Sequence, residues 1–325
     1  MACAVYRAPA YHCREVGEFD LIARLAAALG DPGAGVTLGI GDDAAVLAPD
    51  LVVSTDLVVE DVHFRRGTTS LADLGWKALA AAVSDLAAMG AEPLGAVVGL
   101  ALGRGWTPDE AVAVYGGLGE CAAACGCPVV GGDVSRAAVL VVAVTVFGRA
   151  AAPVTRAGAR AGDVLAVTGS LGGSEAGRLL LEGEVAAVPE HGDLARRHRR
   201  PTPRLADGRM LAGSVHAMLD VSDGVASDAR RLAEAGSVRV EVDLDALPLQ
   251  AGVAAVAAAL GVEPGVFAAR GGEDYELLVA LSEAALESSP VPLTPVGRIL
   301  EGPAGVTFTG AGADAGLAGF DHLRR

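Results

Sequence analysis

Residues 36–63, VTLGIGDDAAVLAPDLVVSTDLVVEDVH, hold two apolar runs that each close on carboxylates. The first ends at Gly41-Asp42-Asp43. The second, Leu51-Val52-Val53, ends at Ser54-Thr55-Asp56, with Glu60, Asp61 and His63 behind it. Short apolar runs bounded by Gly and Pro read as strands. Strand ends hold side chains rigidly, so carboxylates from separate strands can converge. Grouped carboxylates and hydroxyls are hard oxygen ligands, suited to Mg²⁺ or Mn²⁺ rather than zinc. The local alternative is a pair of Asp-rich turns, because Asp stabilises turns through the neighbouring backbone.

The theme recurs along the chain. The spacing of Trp76, Leu79, Ala80, Val83 and Leu86 predicts a helix over 71–89, closed by Gly90, and Lys77, Ser84 and Asp85 interrupt its apolar stripe. A carboxylate at Asp85 is unfavourable in apolar surroundings unless paired or metal-bound. Thr107, Pro108 and Glu110 form a capping-box signature for a helix to Ala124. The run Pro128-Val129-Val130 reads as a strand ending in Gly131-Gly132-Asp133, where phosphate oxygens could approach backbone N–H groups beside a carboxylate. A second unit begins after the Gly-, Ala- and Pro-rich stretch 150–162. It opens with strand Val164 to Val167 and the loop Thr168-Gly169-Ser170-Leu171-Gly172-Gly173-Ser174, either a cradle for a phosphate or a plain tight turn. Strand Ala217 to Val221 leads into Asp220-Val221-Ser222-Asp223-Gly224, read either as metal ligands or as N-caps of the next helix. Glu273 and Asp274 follow Gly271-Gly272. The basic run RRHRRPTPR, 196–204, is either a solvated helix end or a holder of phosphate or carboxylate.

Bulk properties exclude several functions. The 325 residues suggest two domains. A mean hydropathy of +0.43 reflects the Ala content, and no apolar run reaches the roughly 18 residues of a membrane span. No secretory signal opens the chain, so a cytoplasmic protein is expected, bound to no membrane. A formal net charge of −15 opposes general nucleic-acid binding. The five Cys residues, with Cys121, Cys125 and Cys127 on one predicted helix, read as buried thiols rather than a zinc site. Walker A, H-R-D, D-F-G and G-x-S-x-G motifs are all missing, which closes the P-loop, protein-kinase and α/β-hydrolase routes. Together the acidic strand ends suggest a multi-metal site for a polyphosphate.

The segments GEFDLIARL, GDDAAV, STDLVVEDVHF, GWKALAAAVSDLAAMGA, VVGGDVS, TRAGARAGD, RPTPR, LDVSDG and GGEDYELL carry a family likeness that runs from about Gly17 to Phe320. In them the chain resembles the thiamine-monophosphate kinase family. That superfamily also contains aminoimidazole ribonucleotide synthetase, selenophosphate synthetase and a hydrogenase-maturation dehydratase. VHF, GEFDLI and GGEDYELL carry the thiamine-phosphate branch. The chain departs from the branch at Asp61, where Gly is typical, and in the extra residues before Gly17.

The resemblance implies an α/β protein of α+β type in two domains. Residues 1–16 would be a flexible extension, 17–150 the ATP- and Mg²⁺-binding domain whose sheet joins its twin's in a homodimer, and 151–325 a C-terminal α/β domain. It implies transfer of phosphate from ATP to thiamine phosphate, with several Mg²⁺ ions. Carried over by position, Asp43, Ser54, Thr55, Asp56, Asp85, Asp133, Asp220 and Asp223 would hold metal. Tyr115, Gly132, Asp133, Arg156 and Ser222 would contact ATP, and His63, Glu273 and Phe320 the thiamine phosphate. The acceptor is already an ionised phosphate, so no general base is expected and transfer is expected to be direct and in line. The alternative is another ATP-using member of the superfamily. A selenophosphate synthetase would want a reactive Cys in a glycine-rich setting, which Cys13 lacks. The dehydratase would want a C-terminal Cys, and this chain ends in Arg325.

Overall fold

The computed structural model describes residues 17–29 and 33–317. The expected extension 1–16 and Phe320 lie outside the described residues. After α1 (Glu18–Leu29), two six-stranded sheets divide the chain. The first takes β1 (Val36–Leu38), β2 (Ala45–Leu47), β3 (Leu51–Val59), β4 (Glu92–Leu102), β5 (Val129–Arg136) and β6 (Val141–Arg149), in the order β1-β2-β3-β6-β4-β5. The second takes β7 (Val164–Val167), β8 (Ala217–Asp220), β9 (Arg239–Asp243), β10 (Leu277–Leu281), β11 (Thr294–Leu300) and β12 (Gly305–Thr309), in the order β12-β9-β11-β7-β10-β8. Pairing is antiparallel except for β4 with β5 and β9 with β12. This fits the expected two-part α/β architecture of α+β type.

The element that fixes the site is α2 (Leu71–Ala88). Its cap is Ser70, whose hydroxyl accepts from Asp73 N at 3.1 Å. One side of α2 packs on β3 and β6. The other meets β8 and α6 (Leu205–Leu211) of the second half. A helix enclosed on both sides must be apolar nearly all round. The run Ala78 to Val83 is accordingly buried, and all of it but Ala81 lies in one core with Val142, Val144, Met218 and Leu277. Against α3 (Pro108–Cys125) the approach is so close that a Cβ on Gly75 would lie 1.9 Å from Val114 O, and one on Gly117 1.8 Å from Ala72 O. The capping box at Thr107 and Glu110 forms as expected.

Period-2 alternation sets the faces of the first sheet. On β3, Val52, Ser54, Asp56 and Val58 point toward α2, while Val53, Thr55 and Leu57 point outward. On that outward face Leu57 is 55% exposed, beside the half-buried Val97, Ala143 and Phe147. Among the described residues no single helix is long and apolar enough to cross a membrane.

The expected strand ending in Gly-Gly-Asp is corrected. β5 runs on to Arg136, and Gly132 lies within the ladder, opposite Val98. A Cβ there would meet Val98 O at 1.9 Å, so sheet pairing alone accounts for the glycine. The Asp220-Ser222-Asp223 run is no helix cap either. α7 (Val225–Gly236) has Gly224 at its N-cap position and no side-chain cap.

Candidate active site

The two halves enclose a cleft of about 1030 Å³. Three carboxylates converge in it from three elements: Asp43 from the turn before β2, Asp85 from the last turn of α2, and Asp220 from the end of β8. One oxygen of each lies within 4.8 Å of the others. Asp56, from β3, adds its charge beside Asp85. The hydroxyls of two serines line up behind them. Ser54 donates to Asp85 Oδ2 at 2.5 Å and its Oγ lies 3.1 Å from Asp43 O, and Ser84 donates to Asp220 Oδ2 at 2.6 Å.

Crowding of like charge has an electrostatic consequence. Burial, then Asp56, Asp220 and Asp43, push Asp85 well above the carboxylate range. Burial and Asp43 push Asp220 up to about 7, against the opposing Ser84 hydrogen bond. Arg156 answers part of this charge, pairing with Asp43. The donor set is all oxygen, clustered and short of positive charge, which is the chemistry of a divalent-cation site.

Asp42 has the role of a local turn residue. It accepts from Asp43 N at 2.9 Å and from Arg156 N at 3.1 Å. So the turn reading holds for Asp42 and the ligand reading fits Asp43, its immediate neighbour. Asp223 lines the cleft paired with Arg231, and Ser222 lines it while its carbonyl accepts from Glu273 N at 2.8 Å.

The sequence-expected residues separate into groups. Asp43, Ser54, Thr55, Asp56, Asp85, Arg156, Asp220, Ser222, Asp223, His63 and Glu273 all line the cleft. Thr55, however, turns its hydroxyl to Thr145 Oγ1 at 3.0 Å on the outward face. Asp133, opposite Gly99, shares that face three strands away, about 14 Å at 4.8 Å per strand. One chain therefore does not bring Asp133 to the ion site. Tyr115 and Gly132 do not line the cleft either.

Glu60 faces elsewhere, accepting from Trp106 Nε1 at 3.0 Å and Leu140 N at 2.9 Å. Asp61 occupies a left-handed backbone position at φ 65°, which explains the Gly typical of the resembling family there. Asp is among the few side chains that tolerate it.

At the Lys77 end of the cleft the irregular segment 273–276, just before β10, alternates. Glu273 and Tyr275 face the cleft; Asp274 and Glu276 point away and are fully buried. Asp274 accepts from Gly172 N at 2.6 Å and Ser174 N at 3.0 Å. The glycine-rich loop before α4 (Gly173–Leu181) thus does hold an anion, but an internal one, and the expectation of phosphate there is corrected. Glu276 accepts from Arg197 at 2.6 Å and from Arg204 Nε at 2.6 Å, so the basic run holds a carboxylate of its own chain.

Sequence reasoning missed Lys77 and His198. Lys77, 2% exposed, donates to Glu273 Oε2 at 2.8 Å, and His198 Nε2 lies 3.5 Å from its Nζ. The available signal was a Lys four and eight residues before Ala81 and Asp85, on one cleft-lining face of a helix.

Family comparison matches residues 41–150 to the AIR synthase related protein, N-terminal domain, and 160–307 to the AIR synthase related protein, C-terminal domain. A thiamine-monophosphate kinase of Mycobacterium tuberculosis is 39% identical over 306 residues, covering 91% of this chain and 89% of that one. A thiamine-monophosphate kinase of Bacillus subtilis is 37% identical over 284 residues, covering 82% and 86%. Among solved structures, "AaThiL complexed with AMPPCP and TMP" superposes with a TM-score of 0.86 at 31% identity, over 98% of this chain and 100% of that one. Thiamine monophosphate kinase from Aquifex aeolicus gives 0.82 at 32% identity, over 92% and 98%.

Proposed function

The chain belongs to the thiamine-monophosphate kinase family, within the AIR synthase related proteins, and on that premise we propose that it phosphorylates thiamine monophosphate to thiamine diphosphate at the expense of ATP. The observation that carries the reading is the convergence of Asp43, Asp85 and Asp220, from three separate elements, at one end of a cleft large enough for both substrates. Asp43, Asp56, Asp85 and Asp220, with Ser54, are the residues that would hold Mg²⁺. Bound there, Mg²⁺ supplies the positive charge that lets two anionic phosphates approach each other.

The chain's own residues do the rest. Arg156 lies beside this carboxylate cluster and offers a guanidinium to phosphate oxygens. Asp223 and Ser222 line the same wall. The acceptor phosphate is ionised at neutral pH, so no residue has to remove a proton, and transfer is direct and in line. His63 and Glu273, at the far end, contact the organic part of the acceptor. Thiamine monophosphate, Mg²⁺ and ATP incubated with the protein should yield thiamine diphosphate and ADP. A chiral γ-thiophosphoryl donor should show inversion at phosphorus. Absence of thiamine diphosphate would refute the reaction, and net retention would refute direct transfer.

The functional unit in this reading is a homodimer. Its support is the outward face of the first sheet, with Leu57 exposed, and the distance of Asp133, Gly132 and Tyr115 from the cleft of their own chain. Their assignment to ATP then requires a second chain against that face. Leu57→Lys should shift the sedimenting species from dimer to monomer; an unchanged dimer would place the interface elsewhere.

A further inference from the structure

We propose that Lys77 is a positioning residue for the acceptor: it pins Glu273 so that one carboxylate oxygen is presented to the aminopyrimidine amine of thiamine monophosphate. This rests on the function proposed above. Lys77 heads the largest fully buried side chains, and a buried ammonium persists only with partners. Its Nζ donates to Glu273 Oε2 at 2.8 Å and lies 3.5 Å from His63 O and from His198 Nε2. An ammonium has donors only, so His198 Nε2 is the acceptor and the ring proton sits on Nδ1. That Nδ1 faces Ser174 Oγ at 3.1 Å, which anchors the imidazole to the start of α4. Burial, then the Lys77 charge, push His198 down to about 3, so it is a neutral prop. Burial alone would raise Glu273, but the Lys77 ammonium, by its charge and its hydrogen bond, outweighs it and holds the carboxyl below its ordinary range.

The backbone of Glu273 is fixed as well. It sits at φ 63° and Tyr275 at φ 51°, positions that favour glycine, held by Glu273 N to Ser222 O at 2.8 Å and Tyr275 N to Val221 O at 2.9 Å. Residues in such conformations persist where the surroundings over-determine them. With Lys77 and His198 both against Oε2, Oε1 remains for a ligand donor. A lone carboxylate would draw any cation, including the thiazolium. A carboxylate neutralised by a buried ammonium becomes instead a directional hydrogen-bond acceptor, which suits an amine N–H. α2 sets the spacing. Lys77, Ala81 and Asp85 all line the cleft, and eight residues at 1.5 Å each separate the ends by about 12 Å. Ala81 between them leaves room for the acceptor.

Calorimetric titration of thiamine monophosphate, in Mg²⁺ and a non-hydrolysable ATP analogue, tests the proposal, alongside oxythiamine monophosphate, in which an oxygen replaces the amine. Wild type should prefer the amine ligand at least tenfold. Lys77→Met should lose that preference and raise KM for thiamine monophosphate about tenfold, with KM for ATP within twofold. Lys77→Met/Glu273→Gln should bind no more weakly than Glu273→Gln alone. That pair, free of an unpaired buried carboxylate, carries the comparison if Lys77→Met does not fold. A preference that survives in Lys77→Met, equal rises in both KM values, or additive losses in the double variant would overturn it. Failure of wild type to bind thiamine monophosphate at all would refute the proposed function instead.

Discussion

At the Asp85 end of the cleft three carboxylates converge around a shortage of positive charge, whereas at the Lys77 end Glu273, Glu175 and Glu182 each hold a basic partner. One helix supplies both ends. The contrast teaches how to tell acid that awaits an ion from acid that is already furnished. Crowded carboxylates shift upward, as Asp85 and Asp220 do. Paired ones shift downward despite burial, as Glu273 and Glu276 do. Uncompensated charge marks where a ligand must bring its own counter-charge, and compensated charge marks where geometry is being held.

The sharpest way to break this comparison is Asp85→Asn. It should lower turnover at least a hundredfold, about 2.7 kcal/mol in barrier. In cation-free buffer its thermal midpoint should equal or exceed that of wild type, because the amide relieves repulsion from Asp56, Asp220 and Asp43. Added Mg²⁺ should raise the wild-type midpoint and leave the variant's almost unmoved. A variant that loses several degrees without cations would make Asp85 a structural acid, and the two ends would no longer differ in kind.

A smaller effect is expected at Ser84, directly behind Asp220. Ser84→Ala removes one hydrogen bond to a carboxylate, an interaction of roughly 1.5–3 kcal/mol when the acid is charged. About a tenfold fall in kcat is expected, with KM for thiamine monophosphate little changed. The reverse split, in KM alone, would move Ser84 to the acceptor end.

Much of this arrangement was legible in the sequence. Asp85 stood out because a carboxylate within Val83-Ser84-Asp85-Leu86 contradicts its surroundings. Asp43, Asp56 and Asp220 were found through apolar runs that stop at acids. The residues missed are those whose meaning depends on a distant partner. Lys77 reads as an ordinary helix Lys until Glu273, 196 residues on, is placed against it. The loop at 168–174 has the amides of an anion cradle, and only the fold reveals that Asp274 fills it. Gly132 looked like an approach for phosphate because local pattern does not show that β4 passes 1.9 Å from its missing Cβ. Asp133 was placed with the other acids because its strand was expected to stop there; β5 continues, and the side chain falls on the outward face.

The mildest test concerns the neutral prop at the paired end. His198 faces Lys77 and Ser174, with Glu273, Arg178 and Glu182 near enough to act on its charge. Its folded pKa of about 3 lies below the ordinary value of 6.5. The unfolded chain therefore takes up a proton near pH 6.5 that the folded chain refuses until about pH 3. Stability from this residue is complete above pH 6.5 and is lost as pH falls through that window, by at most about 1.4 kcal/mol per pH unit. His198→Gln keeps a polar side chain and removes the titration. Between pH 6.5 and 5.0 the wild-type thermal midpoint should drop about 2 °C further than the variant's. Parallel curves would mean that His198 is protonated in the fold, and an imidazolium cannot accept from Lys77. The Lys77 end would then lose its neutral acceptor, and Lys77 would be held by Glu273 and the His63 carbonyl alone.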